Sequence, residues 1–417
     1  MRIDEEVIEK AKYCLNCKNK PCSKACPMNT QIPEFINEIV NSNLEKAYNI
    51  LIDNNIFSHI CSIVCPYEKQ CEGSCIRGIK QKATEIGFLE RYVNEWAEKN
   101  QINKKNYKIE NNNKFVAVIG AGPSGLEVAY ELGRRGYNVT IFEKEHEIIG
   151  GVLAYGIPDF RLDKKYIENI INILKEIGIE FSMGNELGKD IHIKGLLEKY
   201  DAVFLGVGAE VPSVYDLGEF DNVFLPDKFL KDYNQGNYIK DLGDVTIIGG
   251  GNVAVDASRV ALKMGAKSST ILYRRDEENM PASKKEIEDA INDGVKVKYT
   301  TRVIKGYGLN RKLEKLKCIK TEIIDGRAVD IPGSKFEVKS DSVIFAIGQK
   351  PNRALLEKEG IEFNENGLIK VDEKNKTNIN RVYAGGDLKE SKATVCKAIQ
   401  GAKIASNSII EILEGDN

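Results

Sequence analysis

Twice along this chain a short β-branched run breaks into a glycine turn and then into a helix. That repeat limits the fold more than any other feature. The first copy reads Val116-Ala117-Val118-Ile119-Gly120-Ala121-Gly122-Pro123-Ser124-Gly125, followed by a helical run at 126–132. A second β run at 138–142 ends in Glu143, about twenty residues on. In such a unit the first glycine makes the tight turn and the second lets the backbone approach a pyrophosphate. The third packs helix against strand, and an acid at the end of the second strand accepts bonds from ribose hydroxyls. The helix N-terminus adds free N–H groups and a positive dipole end. The second copy reads Val245-Thr246-Ile247-Ile248-Gly249-Gly250-Gly251-Asn252-Val253-Ala254, a G-x-G-x-x-A turn. Its following strand, 269–273, ends in Arg274-Arg275 where the first copy ends in Glu143. Arginines at that place suit a ribose 2′-phosphate, so the second site is expected to select NADP over NAD. The alternative for the pair is two solvated surface cations.

A chain of 417 residues has room for two or three domains of about 100–200 residues each. Its 60 basic and 62 acidic residues nearly cancel, which argues against a general nucleic-acid binder. No apolar run approaches the roughly 20 residues needed to span a bilayer. The start, Met1-Arg2-Ile3-Asp4-Glu5-Glu6, lacks the apolar core of a signal peptide. A soluble, cytoplasmic protein with no membrane or nucleic-acid partner is expected.

Eight of the ten cysteines lie within the first 75 residues. They form Cys14-x2-Cys17-x4-Cys22-x3-Cys26-Pro27 and Cys61-x3-Cys65-Pro66-x4-Cys71-x3-Cys75. Eight thiolates suit two iron–sulfur clusters of four ligands each. Structural zinc prefers paired C-x2-C knuckles, of which one occurs here, and disulfides conflict with the expected compartment. In two-cluster ferredoxins the cysteine before proline crosses to the other cluster. By that logic Cys14, Cys17, Cys22 and Cys75 hold the first cluster, while Cys26 joins Cys65 and Cys71 on the second. The spacing leaves the last ligand open between Cys61 and another group. Residues 32–56 read as two amphipathic helical segments, and 86–98 as a third carrying Trp96, a core anchor. Residues 100–114, rich in Asn and Lys, read as a linker.

Between and after the glycine turns lie further breaks. The stretch 149–162, with Gly151, Val152 and Arg161, is a loop able to lie close to a flat ligand, or only a surface turn. A strand at 202–205 runs into Gly206 and Gly208, and another at 343–347, through Ala346, into Gly348. Ala384-Gly385-Gly386-Asp387 precedes a helix at 395–413, placing Asp387 toward a sugar or ribityl hydroxyl and the helix start toward a flavin carbonyl. Segments 295–302 and 316–323 read as strands of a small sheet. Cys318 and Cys396 read as packing.

Two nested dinucleotide folds with Ala-Gly-Gly-Asp resemble the flavoprotein pyridine-nucleotide reductases. With the cysteine head the whole chain resembles the small (β) subunit of NADPH-dependent glutamate synthase. It is also similar to the N-terminal part of dihydropyrimidine dehydrogenase, its stand-alone bacterial subunit, and the large subunit of ferredoxin:NADP transhydrogenase. The carrying segments are the two cysteine groups, Ile86-Gly87-Phe88-Leu89-Glu90-Arg91, Tyr155-Gly156-Ile157-Pro158 and Tyr273-Arg274-Arg275-Asp276-Glu277-Glu278-Asn279-Met280-Pro281.

The resemblance implies an α/β fold: two nested Rossmann-like dinucleotide-binding domains preceded by an α-helical iron–sulfur domain. It implies a head at 1–112 with two 4Fe–4S clusters. The FAD domain would be 113–209 with 346–417, and an NADP(H) domain would be inserted at 210–345. FAD is then expected on Gly120, Gly122, Pro123, Ser124, Gly125, Glu143, Lys144, Gly151, Val152, Arg161, Gly208, Gly386, Asp387, Thr394 and Val395. NADPH, rather than NADH, is expected on Gly249, Gly250, Gly251, Asn252, Val253, Ala254, Arg274, Arg275, Ala346 and Gly348. It also implies that Glu90 completes the second cluster beside Cys26, Cys65 and Cys71, with Cys61 the alternative and a surface ion pair the plain structural role. Cofactors would carry the hydride and electron chemistry, so no catalytic side chain is expected. The electron acceptor is expected on a partner such as the glutamate synthase large subunit. A pyrimidine-reducing or transhydrogenase partner is the alternative. The non-enzymatic alternative is a ferredoxin-like electron carrier, against which both intact glycine turns speak.

Overall fold

The computed structural model describes residues 4–102, 110–390 and 394–415. The predicted linker falls largely on 103–109, outside those residues. Contacts divide the chain into two compact units, one of Met1–Gly151, Leu162–Gly208 and Pro351–Asn417, the other of Val152–Arg161 and Ala209–Lys350.

The first unit begins with a helical head. Glu5–Lys12 starts where the Asp4 side chain accepts from Glu6 N–H at 3.1 Å, with acids in its first turn and lysines in its last. Helices Ile32–Val40, Leu44–Asn54 and Ile86–Lys99 turn Phe35, Ile36, Ile39, Ala47, Leu51, Leu89 and Val93 into one core. That core also encloses Cys22 and Cys71, while Trp96 packs against it partly buried. Phe35→Ala is expected to cost about 3–5 kcal/mol in denaturant unfolding of the head; a loss under about 1 kcal/mol would mean this core does not hold the helices.

Among the described residues, five parallel strands follow in the same unit. Their order is Val382–Ala384, Ala202–Leu205, Phe115–Ile119, Asn138–Glu143, Glu180–Met183. Helix Pro123–Gly133 lies between this sheet and the long helix Val395–Gly415, which explains why it is buried on every side.

The second unit repeats the plan. Parallel strands run in the order Val223–Phe224, Ser342–Ala346, Asp244–Gly249, Ser268–Leu272, Lys296–Lys298. Successive residues point to opposite faces: Ile247, Ile271 and Ile344 enter the core under helix Asn252–Lys263. Ile248, Leu272 and Phe345 enter a second core with Val303, Leu316 and Cys318. An antiparallel sheet of Thr301–Leu309, Lys312–Ile324 and Arg327–Lys339 covers that second face.

One expectation for this small sheet needs correction, and one strand adds to it. The run 295–302 is two strands, because Thr300 turns at φ +49° between Lys296–Lys298 and Thr301–Leu309. The strand Arg327–Lys339 was not foreseen, since Pro332-Gly333 reads as a breaker. On an outer strand those residues cost little pairing, and Ser334 Oγ accepts the Lys320 N–H opposite at 3.1 Å. No helix among the described residues is long and apolar enough to cross a membrane.

Candidate cofactor sites

The first glycine turn is built as a cradle. Gly120 sits at φ +100°, and a Cβ there would lie 2.5 Å from the Gly206 carbonyl oxygen. A Cβ on Gly125 would lie 2.0 Å from the Gly120 oxygen, so only glycine lets helix and turn close. At Gly122, which precedes helix Pro123–Gly133, a Cβ would meet nothing within 4 Å. The first turn of that helix therefore faces open space, the position where backbone N–H groups bind phosphate.

The surrounding residues frame the same space. Glu143 is buried, and its carboxylate accepts Ala121 N–H at 2.8 Å and Glu145 N–H at 3.0 Å, which fixes it at the end of its strand. Lys144 beside it is exposed. Gly150 N–H donates to the Ala121 oxygen at 2.9 Å, and a Cβ on Gly151 would lie 3.0 Å from Gly122 Cα. Ser124 Oγ lies under both Gly206 and Gly386, and Gly208 faces open space. Burial, with the charge of Glu390, pushes the Asp387 carboxyl up to about 6. Val395 begins the long C-terminal helix, and Thr394 immediately precedes it. Val152 and Arg161 fall in the second unit, where Arg161 pairs with Asp256 at 2.6 Å and with Glu286. Open glycine positions that a Cβ would fill are what a flat dinucleotide requires, so this cradle fits FAD.

The second glycine turn keeps the same logic. A Cβ on Gly249 would lie 2.1 Å from the Ala346 oxygen, and one on Gly250 would strike the Tyr273 ring. Gly251 and Gly348 face open space. Asn252 Oδ1 accepts Ser283 N–H at 3.2 Å, Val253 is exposed, and Ala254 is buried against the sheet. Arg274 is exposed and Arg275 partly so. Among the described residues neither guanidinium pairs with a carboxylate. The turn and the two cations that follow its second strand fit a nicotinamide dinucleotide with an extra phosphate.

All ten cysteines are free thiols. Cys14, Cys17, Cys22 and Cys75 line one cavity with the apolar Ile32, Ile36 and Ile86. Backbone N–H groups reach these sulfurs: Asn16 at Cys14, Ser23 at Cys22, Arg77 and Gly78 at Cys75. Burial pushes the Cys14 and Cys22 thiols up. At Cys75 burial also raises the thiol, but Thr84 and the backbone donors outweigh it, and the net shift is downward. No three His, Cys, Asp or Glu among the described residues are grouped to hold a single metal ion. Four thiols around a cavity, with N–H groups at the sulfurs, instead suit the larger body of a cluster.

Cys26, Cys61, Cys65 and Cys71 form the second group, with Glu90 among them. Glu90 is buried; Ser58 Oγ donates to its Oε1 at 3.1 Å and Tyr67 OH reaches its Oε2 at 3.3 Å. Burial pushes its carboxyl up to about 7 against those two donors. Gly87 lets the Tyr67 ring lie directly on helix Ile86–Lys99, since a Cβ there would come within 2.6 Å of it. Glu90 and Cys61 are thus both at hand for the remaining ligand position.

One member was missed. Cys396, read as packing, lies in the first turn of helix Val395–Gly415. Gln70 Nε2 donates to its sulfur at 3.0 Å, Thr394 Oγ1 lies 3.2 Å away, and its thiol interacts with that of Cys65. Hydrogen bonding to Cys65 first, opposed by burial and aided by Thr394 and Gln70, brings this thiol down to about 6. No spacing rule could find it, because Gln70 and Cys396 are 326 residues apart.

Comparison with known proteins agrees with both halves. The pyridine nucleotide-disulphide oxidoreductase family matches residues 114–403. The family described as dihydropyrimidine dehydrogenase domain II, 4Fe-4S cluster, matches residues 2–102. The glutamate synthase (NADPH) small chain of Halomonas elongata is 33% identical over 436 residues, covering 98% of this chain and 91% of that one. Its Escherichia coli namesake is 33% identical over 430 residues, covering 97% and 91%. Mycobacterium tuberculosis FprA, solved in complex with NADPH, is 18% identical and shares the fold with a TM-score of 0.61 over 72% of this chain and 85% of its own. The protein is an oxidoreductase whose cofactors are FAD, NADP(H) and 4Fe–4S iron–sulfur. The chain belongs to the pyridine nucleotide-disulphide oxidoreductase family, within its iron–sulfur-headed branch that includes the glutamate synthase small chains.

Proposed function

We propose that this chain is an electron-input subunit of the glutamate synthase small-chain type, which takes hydride from NADPH and delivers single electrons to a partner subunit that forms L-glutamate. The observation that carries the reading is the sharing of one compact unit by both thiol groups and the first glycine cradle. When bound, the flavin exchanges hydride with NADPH and the clusters move single electrons. The chain's own residues bind and orient. Gly249–Ala254 (249–254), with Ala346 and Gly348, hold the nicotinamide dinucleotide, and Arg274 and Arg275 take its 2′-phosphate. Gly120, Gly122 and Gly125, with Gly151, Gly208 and Gly386, admit the flavin dinucleotide, and Glu143 accepts from its ribose. Cys14, Cys17, Cys22 and Cys75 hold one cluster. Cys26, Cys65, Cys71 and Glu90 hold the other, with Cys61 in reserve.

Arg274→Ala with Arg275→Ala tests the entry step. Each charge-assisted bond to phosphate is worth about 1.5–3 kcal/mol. The double variant removes two such bonds and should lose about 100-fold or more in kcat/KM for NADPH, and less than about threefold for NADH. Equal losses would remove the 2′-phosphate assignment. The similarity of the head to dihydropyrimidine dehydrogenase supports a second reading, in which the partner reduces a pyrimidine. Reconstitution with a glutamate synthase large chain separates the two: NADPH-driven glutamate formation supports the first reading, and its absence alongside pyrimidine reduction with the other partner supports the second.

A further inference from the structure

The two loops that carry the first thiol group hold only positive charge. Residues 13–33 and 73–84 contain Lys18, Lys20, Lys24, Arg77, Lys80 and Lys82 and no Asp or Glu, in a chain whose 60 basic and 62 acidic residues otherwise nearly cancel. Lys20 and Lys82 pair with Glu34 and Glu85. Lys18, Lys24 and Lys80 are exposed and form no ion pair among the described residues.

The same loops leave aliphatic side chains in solvent. Leu15, Ile76 and Ile79 are 49%, 43% and 77% exposed. Leu15 and Ile76 border the cavity shared by Cys14, Cys17, Cys22 and Cys75. The short helix Ile76–Ile79, at three residues per turn, sets Ile79 on the same side as Ile76. Arg77 Nε donates to the Tyr13 oxygen at 3.0 Å, and Tyr13 OH lies 3.1 Å from Gln81 Oε1, so the loops run side by side. An apolar centre inside a polar rim is the make-up of a protein interface. Leu and Ile offer no ring for a base to stack on, which favours a protein over a nucleic acid.

The place of this face in the head points the same way. Cys14, Cys17 and Cys75 are partly exposed, whereas Cys61 and Cys71 of the second group are buried. Gln70, in the loop of the second group, donates to Cys396 on the helix that follows the Gly386-Asp387 turn. On the reading given under Proposed function, the second group therefore lies toward the flavin and the first toward the exit. Single electrons pass only over short distances, so an acceptor has to seat itself at the rim of the first group.

We propose that Leu15, Ile76 and Ile79, flanked by Lys18 and Lys80, are the docking surface for the electron-accepting partner, which meets them with an apolar centre and a rim of carboxylates. The inference rests on the partner-subunit reading, and opposite charge across such a rim acts mainly on the rate of encounter.

The test uses the full-length holoprotein and a glutamate synthase large chain. Wild type, Lys18→Glu with Lys80→Glu, and Ile79→Asp are compared for association rate and Kd at low and high salt. Iron content and NADPH-driven dye reduction are measured in each. The charge-reversed variant should associate about 10-fold or more slowly at low salt. That difference should vanish near 1 M salt, where the Debye length is about 3 Å. Ile79→Asp should raise Kd roughly fivefold or more at either salt. Iron and dye reduction should not move. Carbodiimide, which joins amines to carboxylates in contact, should couple Lys18 or Lys80 of the wild-type chain to the large chain, so this map decides even where a variant loses iron. Variants that bind like wild type, or crosslinks that avoid both lysines, would overturn the docking face while glutamate formation continued. A wild-type chain that neither binds the large chain nor supports glutamate formation would overturn the partner-subunit reading and the docking face with it.

Discussion

Gly122→Val is expected to yield a folded chain that carries no flavin, whereas Gly125→Val is expected to yield little folded chain at all. Both glycines belong to one turn, and the difference lies in what a side chain would meet. At Gly122 the backbone is extended, with φ −79° and ψ −179°, which valine adopts without strain. Nothing protein lies within 4 Å of its Cβ. The new methyls therefore fill only the space reserved for a pyrophosphate, and flavin affinity should fall by about 100-fold or more. At Gly125 the Cβ would sit 2.0 Å from the Gly120 oxygen and 3.1 Å from Val118 Cγ1, inside the helix–sheet contact. Such overpacking costs about 1–3 kcal/mol or more, and here it meets backbone, which cannot rotate away. Circular dichroism and released flavin after gel filtration check both. A Gly122→Val chain that retains its flavin would show that the cofactor does not lie over this turn.

Cys75→Ser should separate electron entry from electron exit. Cys75 is the member of the first thiol group with a side-chain hydrogen bond of its own, its S–H donating to Thr84 Oγ1 at 3.6 Å. Serine is close in size and can keep that bond, but an alkoxide is a poor substitute for a thiolate on iron. Iron should fall from about eight to about four per chain. NADPH-driven reduction of a small dye at the flavin should stay within about twofold, since both glycine turns are untouched. Delivery to the partner subunit should fall by about 100-fold, because the route through the head is cut. Undiminished delivery would mean electrons leave directly from the flavin.

The glycine turns were legible because their constraints are local. Gly120, Gly122 and Gly125 act within six residues, and strand, turn and helix are written consecutively. The gathering of Cys75 with Cys14, Cys17 and Cys22 followed from the chemistry of cysteine–proline crossing, although some sixty residues intervene. What sequence could not give is long-range pairing. The guanidinium of Arg161, expected at the flavin, pairs with Asp256 and Glu286 in the second unit. Cys396 reads as one apolar residue in an apolar helix, and only the fold brings Gln70 and Cys65 to it. Glu127 gives the same lesson. On sequence it is an ordinary helix acid, yet the sheet on one side and helix Val395–Gly415 on the other bury it, and burial pushes it up to about 8 against the charge of Lys403. The break at Thr300 and the outer strand Arg327–Lys339 were hidden for a related reason: a left-handed Thr and a Pro-Gly pair contradict local propensity, and tertiary pairing overrides it.

The central claim is that one chain carries flavin and iron–sulfur clusters fed by NADPH. The most direct measurement is an anaerobic visible titration of the purified protein with NADPH and then NADH, alongside iron and sulfide counts. The account predicts flavin bands with about eight irons per chain, bleached by NADPH at lower concentration than by NADH. A flavin spectrum with zinc and no iron, or clusters that stay oxidised while the flavin bleaches, would contradict it.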